Sequence, residues 1–277
     1  MTEPTSTTAP SAPPRPGLSR ARRVAGPLAV GCGLLLFWQL AVIYYAIPHY
    51  VLPRPTVILT ALHEDWRTLF LSLWSTLQTT FLALFFAVTL GVALAVLFTQ
   101  WQWLERSILP YVIVLQVTPV VAIAPLIIIW TGDINVSLLI CAWLVAFFPI
   151  LSNTMLGLNS ADHNLLDLFD VYGASRWQKL VLLRLPSSMP YFLGGVRISG
   201  GLALIGAVVA EFVAGTGGQG SGLAFRILES GYQLRIPRMF AALILISIAG
   251  IAIYLLTSWI AWLLLHKWHE SALKREL

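Results

Sequence analysis

The chain is 277 residues long, 58% hydrophobic and only 10% charged, with a mean hydropathy of +0.81. That composition excludes an ordinary soluble domain with a polar surface and places the chain in a bilayer. The net charge of +5 does not describe a nucleic-acid binder, because the bases stand at the ends of apolar runs and form no patch interleaved with aromatics; what they report is orientation in the membrane.

Residues 1–26, MTEPTSTTAPSAPPRPGLSRARRVAG, are rich in Pro, Ser and Thr with little to bury, which predicts a disordered cytoplasmic tail. Arg20, Arg22 and Arg23 then precede an apolar run over 27–47. That run is about 20 residues, longer than the apolar core of a signal peptide and without a small-residue cleavage site, so an uncleaved first span is expected. Uncharged stretches able to cross about 30 Å of hydrocarbon follow near 71–99, 108–130, 136–156, 191–213 and 240–265. Unsatisfied backbone groups are costly in lipid and no run alternates polar with apolar, so each span should be a helix. The expected fold is an all-α membrane bundle of about six transmembrane helices over 27–266, with 267–277 as a second cytoplasmic tail. Cys32 and Cys141 lie inside apolar runs and read as buried thiols acting as small hydrophobes.

Between the fourth and fifth spans, at about 160–190, comes a polar interruption, with DLFDVYGASRWQKLVLLRLPSSMP running from Asp167 to Pro190. The pattern permits a short helix over 165–169, a turn at Gly173 and a second helix over 177–185, bounded by Pro186 and Pro190 before the next span. Two short helices at an angle make a rigid knob, and a rigid knob transmits the motion of a partner that a floppy linker would absorb.

The fifth span places Gly195, Ser199, Ala203, Ala207 and Glu211 on one face at i, i+4 spacing, with Gly200, Gly201 and Gly206 nearby. Such a face permits close backbone approach and suits packing around a pathway or a dimer axis. Glu211 is costly in lipid, and two roles stand open for it: a structural hydrogen-bonding role near an outer gate, or direct contact with a passing solute. Arg197 reads as structural or snorkelling. At about 1.5 Å per residue the two lie about 21 Å apart, too far to pair within one helix. Trp130 and Trp143 read as interfacial belts or helix packing.

After this span GTGGQGSG, residues 215–222, is a flexible turn and not a phosphate cradle, since no lysine follows and no strand precedes it. His266 and His269 have a metal-like i, i+3 spacing but no further ligand, and read as interface anchors beside Trp268. No catalytic residue, metal site or cofactor is expected.

With the N-terminus inside, the cytoplasmic segments hold Arg15, Arg20, Arg22, Arg23, Arg106, Arg176, Lys179, Arg184, Lys267, Lys274 and Arg275, against Arg54, Arg67, Arg226, Arg235 and Arg238 outside. This bias puts both termini and the polar interruption in the cytoplasm.

The spacing within the interruption, Gly173, nine residues, Leu183, one residue, then Leu185 and Pro186, resembles the cytoplasmic "EAA" loop by which ABC importer permeases grip their ATPase. Downstream, Gly195-Val196-Arg197 and Ala210-Glu211 are similar to elements of the fifth span in the nitrate, sulfonate and taurine permease family, and VLPRPTVILTAL resembles its extracytoplasmic Leu-Pro-x-Pro segment. The similarity covers roughly residues 50–265. It implies a type I ABC importer permease bundle in a bacterial inner membrane. It also implies a homodimer, two ATPase subunits and an extracytoplasmic solute-binding protein, with ATP hydrolysis in a separate chain.

By this resemblance the ATPase-coupling candidates are Asp167, Asp170, Gly173, Ala174, Ser175, Leu183, Leu185 and Pro186. Arg197, Ser199, Ala203, Ala207 and Glu211 are candidates for the pathway or its gate. Two departures stand out: Asp167, Leu168 and Phe169 occupy the EAA letters, and the glycine-rich turn is longer than the family's usual one.

IGAVVAEF and MFAALILIS are more similar to the branch that imports thiamine-pyrimidine precursors or riboflavin than to the taurine branch. Arg197 and Glu211 roughly cancel, which also points away from nitrate or sulfonate; a sulfonate/taurine, nitrate or bicarbonate importer permease is the alternative. A secondary transporter would show more intramembrane ionisable groups and detectable repeats, and an intramembrane enzyme would need paired carboxylates, a Ser-Lys dyad or a metal site in its spans.

Overall fold

Helices make up the regular structure among the described residues, 20–215 and 221–266, of this computed structural model. In chain order they are α1 (Arg20–Tyr44), α2 (Pro55–Glu64), α3 (Trp66–Gln100), α4 (Gln102–Val117), α5 (Val120–Thr131) and α6 (Ile134–Leu158). There follow α7 (His163–Val171), α8 (Arg176–Lys179), α9 (Leu185–Ala214), α10 (Leu223–Tyr232) and α11 (Ile236–Leu265), with a π-helical turn, Leu180–Arg184, joining α8 to α9. α1 begins inside the stretch assigned to the tail. Residues 1–19 and 267–277, and with them most of both expected tails, lie outside the described residues, as do 216–220 of the glycine-rich turn.

Four of the expected spans are whole: α3, α6, the continuous helical run Arg176–Ala214, and α11 are each long and apolar enough to cross a bilayer. The first, expected over 27–47, ends as a helix at Tyr44. The third, expected as one helix over 108–130, is broken. α4 and α5 meet at a bend of 103° around Thr118 and Pro119, both extended in backbone. The proline cannot donate to the carbonyl one turn back, and it pushes the preceding residue out of the α region.

Small residues build the centre. α3 buries Thr76, Thr80, Ala83, Ala87, Gly91 and Ala95, nearly every fourth position, and α6 buries Ala142, Ala146 and Ile150. α9 lies along α6 with Ser199, Ala203 and Ala207 fully covered, and the Ser199 hydroxyl donates to the Ala146 carbonyl at 2.7 Å. The approach is close: a Cβ on Gly206 would stand 2.9 Å from the Ala142 Cα, and one on Gly157 2.8 Å from the Ser188 Cα. Many large apolar side chains, among them Phe85, Leu90, Ile198, Ile205 and Trp259, point outward. In lipid nothing drives leucine inward, so helices associate through small residues that let their backbones touch. The fifth-span stripe therefore seals α9 against α6 within the chain.

At one end of the bundle α2 and α10 pack on α11 through Ile58, Leu223, Ile227, Ala241 and Leu245. Ion pairs reinforce this end: Arg226 with Glu229 at 2.9 Å, and Arg238 with Glu229 at 3.6 Å and with Asp65 at 3.4 Å. α9 runs from there to the opposite end, where α7 and α8 project. The basic residues sort accordingly, with Arg226 and Arg238 at the α10 end and Arg176, Lys179 and Arg184 at the other.

Candidate functional site

The knob at the second end is assembled by local rules. Asp162 caps α7, accepting from the Asn164 amide at 2.8 Å. α7 stops at Gly173, whose φ of +66° is open to glycine at little cost; the amides of Gly173 and Ala174 close back onto the carbonyls of Asp170 and Phe169, each at 2.9 Å. Ser175 then opens α8 in a reciprocal capping box with Gln178. Lys179 pairs with Asp170, tying α8 to the end of α7. Leu180 and Leu183 are buried, Leu180 among Phe98, Leu151 and Leu158, so the second short helix is rooted in the bundle.

The junction differs from its expectation. The second helix does not end at Pro186 or Pro190; it passes through the π turn and continues as α9. In the π turn the Leu185 amide bonds the Leu180 carbonyl, one residue further back than in an α-helix, so the strain of entering Pro186 is absorbed before the first turn of α9. Pro190 removes one further bond, which packing of α9 along α6 outweighs. The knob is thus continuous with a span. Its far side exposes Leu165, Leu168, Val171, Tyr172 and Trp177, with Val171 83% and Tyr172 81% accessible. Asp167, Asp170, Gly173 and Ser175 share that exposed part, Ala174 is half-buried, and Leu183, Leu185 and Pro186 form the root.

At the opposite end Glu211 is only 4% exposed, and its carboxylate is fully used within the chain. One oxygen accepts from the Thr76 hydroxyl at 2.8 Å and the other from the Ala224 amide at 3.0 Å, while the Leu223 amide donates to the Thr76 hydroxyl oxygen at 2.9 Å. Glu211 and Thr76 therefore cap the N-terminus of α10, where unpaired amides and the helix dipole favour a carboxylate. Gly222, the residue at the start of α10, has no room for a Cβ against this carboxylate. Of the two roles open in the sequence, the contacts are those of the structural one. Thr76 gave no separate sequence signal; its place in the every-fourth-residue stripe of α3 is the cue that was present.

Arg197 is half-buried, its guanidinium 5.8 Å from the centre of the Tyr254 ring, and its Nε has no hydrogen-bond partner. It makes no ion pair among the described residues, as its separation from Glu211 along α9 led one to expect. Cys141 is buried as expected, but Cys32 is exposed on α1. Trp143 packs on Phe147 at 5.1 Å, Trp130 is exposed, and His266 stacks on Trp262 at 4.6 Å; His269 lies outside the described residues.

A bundle of long apolar helices with a polar helical knob at one end is the architecture of a multi-pass membrane protein. The profile of the family described as binding-protein-dependent transport system inner membrane component matches residues 87–268, and the chain belongs to that family: it is an ABC transporter permease. It is 34% identical over 243 residues to the riboflavin transport system permease protein of Chloroflexus aurantiacus, covering 86% of this chain and 88% of that one. With the formylaminopyrimidine transport permease protein of Halalkalibacterium halodurans it shares 31% over 235 residues, 84% and 92% of the two chains. Among solved structures, an amino acid ABC transporter superposes with a TM-score of 0.59 at 16% identity, over 73% of this chain and 95% of that chain, which bears on the fold alone.

Proposed function

We propose that this permease imports a thiamine-pyrimidine precursor or a riboflavin-like heterocycle, delivered by an extracytoplasmic binding protein and driven by two ATPase subunits docked on the α7–α8 knobs of a homodimer. The knob end, with both termini, faces the cytoplasm, as the distribution of bases favours. The observation that carries the docking role is the knob itself: apolar residues exposed outside the bundle, capped and ion-paired into one body, and continuous through the π turn with α9. Asp167, Asp170, Gly173, Ala174 and Ser175 belong to the docked part, and Leu183, Leu185 and Pro186 transmit its displacement to the span. ATP-driven closure of the ATPases moves the knobs and opens the pathway outward, and hydrolysis resets it.

Support for a heterocycle comes from the two relatives named for riboflavin and formylaminopyrimidine. A second reading rests on Arg197, a cation at membrane depth with no ion pair among the described residues and an unpartnered Nε; this favours an anionic solute such as a sulfonate. Ser199, Ala203 and Ala207 serve as the scaffold behind the pathway, since α6 covers them. The experiment is uptake of labelled hydroxymethylpyrimidine, riboflavin and taurine into cells expressing the chain with its ATPase and binding protein. Heterocycle uptake dependent on the chain supports the first reading; taurine uptake alone replaces it with the second.

A further inference from the structure

A cavity of about 540 Å³ opens where the foot of α3 and the head of α4 face α8 and the π turn. None of the coupling candidates named above lines it. Arg176, Lys179 and Arg184 line it, and none of its lining residues is acidic. Lys179 is engaged by Asp170, whereas Arg176 and Arg184 make no ion pair among the described residues. Trp101 and Trp103 form the opposite wall, where the extended backbone of Trp101 breaks α3 from α4, and Gln100 and Gln102 add amide donors.

The depth of this cavity is set by its neighbours. Trp101 ends the long apolar α3 and Arg184 immediately precedes α9, so the cavity lies at the boundary between hydrocarbon and water, where tryptophan and the bases collect. About a turn from the lining residues, Leu97, Val181 and Leu182 expose apolar side chains. Leu97 lies one turn into α3 from the cavity and Val181 and Leu182 lie between Lys179 and Arg184, so cations at headgroup level stand beside open apolar surface, which matches a phosphodiester with its acyl chains alongside.

We propose that this cavity binds the phosphate headgroup of an anionic phospholipid, bridging the foot of α3 to the root of the knob. Inorganic phosphate shares the headgroup chemistry but makes no use of Leu97, Val181 and Leu182. A bound lipid joins α8 to α3 and so resists displacement of the knob, which makes coupling sensitive to membrane composition. The inference rests on the placement of the chain in a bilayer and not on the identity of its solute.

The test uses the full-length permease with its ATPase subunits in nanodiscs of phosphatidylcholine carrying a minor fraction of cardiolipin or phosphatidylglycerol, with retained lipid counted by native mass spectrometry. The wild type retains anionic lipid in preference to phosphatidylcholine. The double variant Arg176→Gln, Arg184→Gln loses roughly thirty-fold in apparent affinity, as removal of two bases at a membrane surface implies. Arg106→Gln, which removes an exposed base outside the cavity, retains the lipid. Where the double variant is not monodisperse, Arg184→Glu alone shows the same loss, and Arg184→Lys restores retention. Equal retention by wild type and double variant, or equal loss in Arg106→Gln, overturns the proposal. So does the soluble arm, if inorganic phosphate stabilises delipidated wild type but not the double variant while anionic lipid is not retained. Lipid retention is read without transport, so its outcome is independent of the uptake assay.

Discussion

Glu211 shows how far one side chain's role depends on its acceptors. Its two oxygens are satisfied by Thr76 and the Ala224 amide, and removing them strands buried donors. Glu211→Ala should therefore destabilise the protein by about 1–3 kcal/mol, seen as a lower Tm in detergent. Glu211→Gln, which keeps an acceptor, should recover part of that Tm and leave the apparent KM for solute unchanged; a KM shift with an unchanged Tm would assign the carboxylate to the solute instead. At Gly173 the φ of +66° sits in open space, so Gly173→Ala meets no clash and costs about 1–2 kcal/mol of local backbone strain. The expected result is an unchanged Tm for the bundle with a lower ratio of solute imported to ATP hydrolysed in proteoliposomes. Gly173→Pro should uncouple the two more completely without preventing membrane insertion.

Between helices, the decisive feature is how closely α9 approaches α6. Gly206→Leu forces a side chain into the Ala142 backbone and should abolish recovery of monodisperse protein, whereas Gly201→Leu, where nothing lies within 4 Å, should leave the Tm of the chain intact. Size-exclusion profiles and thermal melts of the two variants make that comparison directly. The i, i+4 stripe of α9 was legible in the sequence, but its partner was not, because small residues mark a close approach without saying to what. Similarly, Pro186 and Pro190 mark strain in a helix, and only the π turn shows how the chain relieves it without stopping. The break at Pro119 is the opposite outcome, a span bent by 103°, although Pro110, Pro125 and Pro149 stand inside α4, α5 and α6 without ending them.

Across the whole molecule, charge has been sorted to two ends. An ion-paired network of Asp65, Arg226, Glu229 and Arg238 holds the α2–α10 end, and the knob carries Asp170 with Lys179 at the other. Arg197 stands between them against Tyr254. Arg197→Gln should lower uptake of an anionic solute at least tenfold, about 1.4 kcal/mol, and leave uptake of a neutral heterocycle within twofold; the same labelled-solute assay reads both. A loss for both classes of solute would make Arg197 a packing residue for α11.

The sequence by itself determined that this chain is a helical membrane protein, roughly where its spans fall, and which polar segment interrupts them. Hydropathy, the backbone's need for internal hydrogen bonds in lipid and local turn chemistry act over a few residues at a time, and the spacing of Gly173, Leu185 and Pro186 carried the family resemblance on the same scale. Only the tertiary structure decided what Glu211, Arg197 and the fifth-span stripe touch. Thr76 is 135 residues from Glu211 along the chain and Ala146 is 53 from Ser199, yet each pair meets within hydrogen-bonding distance. Contacts of that kind depend on which helix packs against which, and in a bilayer that choice is made by the fit of small residues across the bundle, which periodicity along one strand of sequence does not encode.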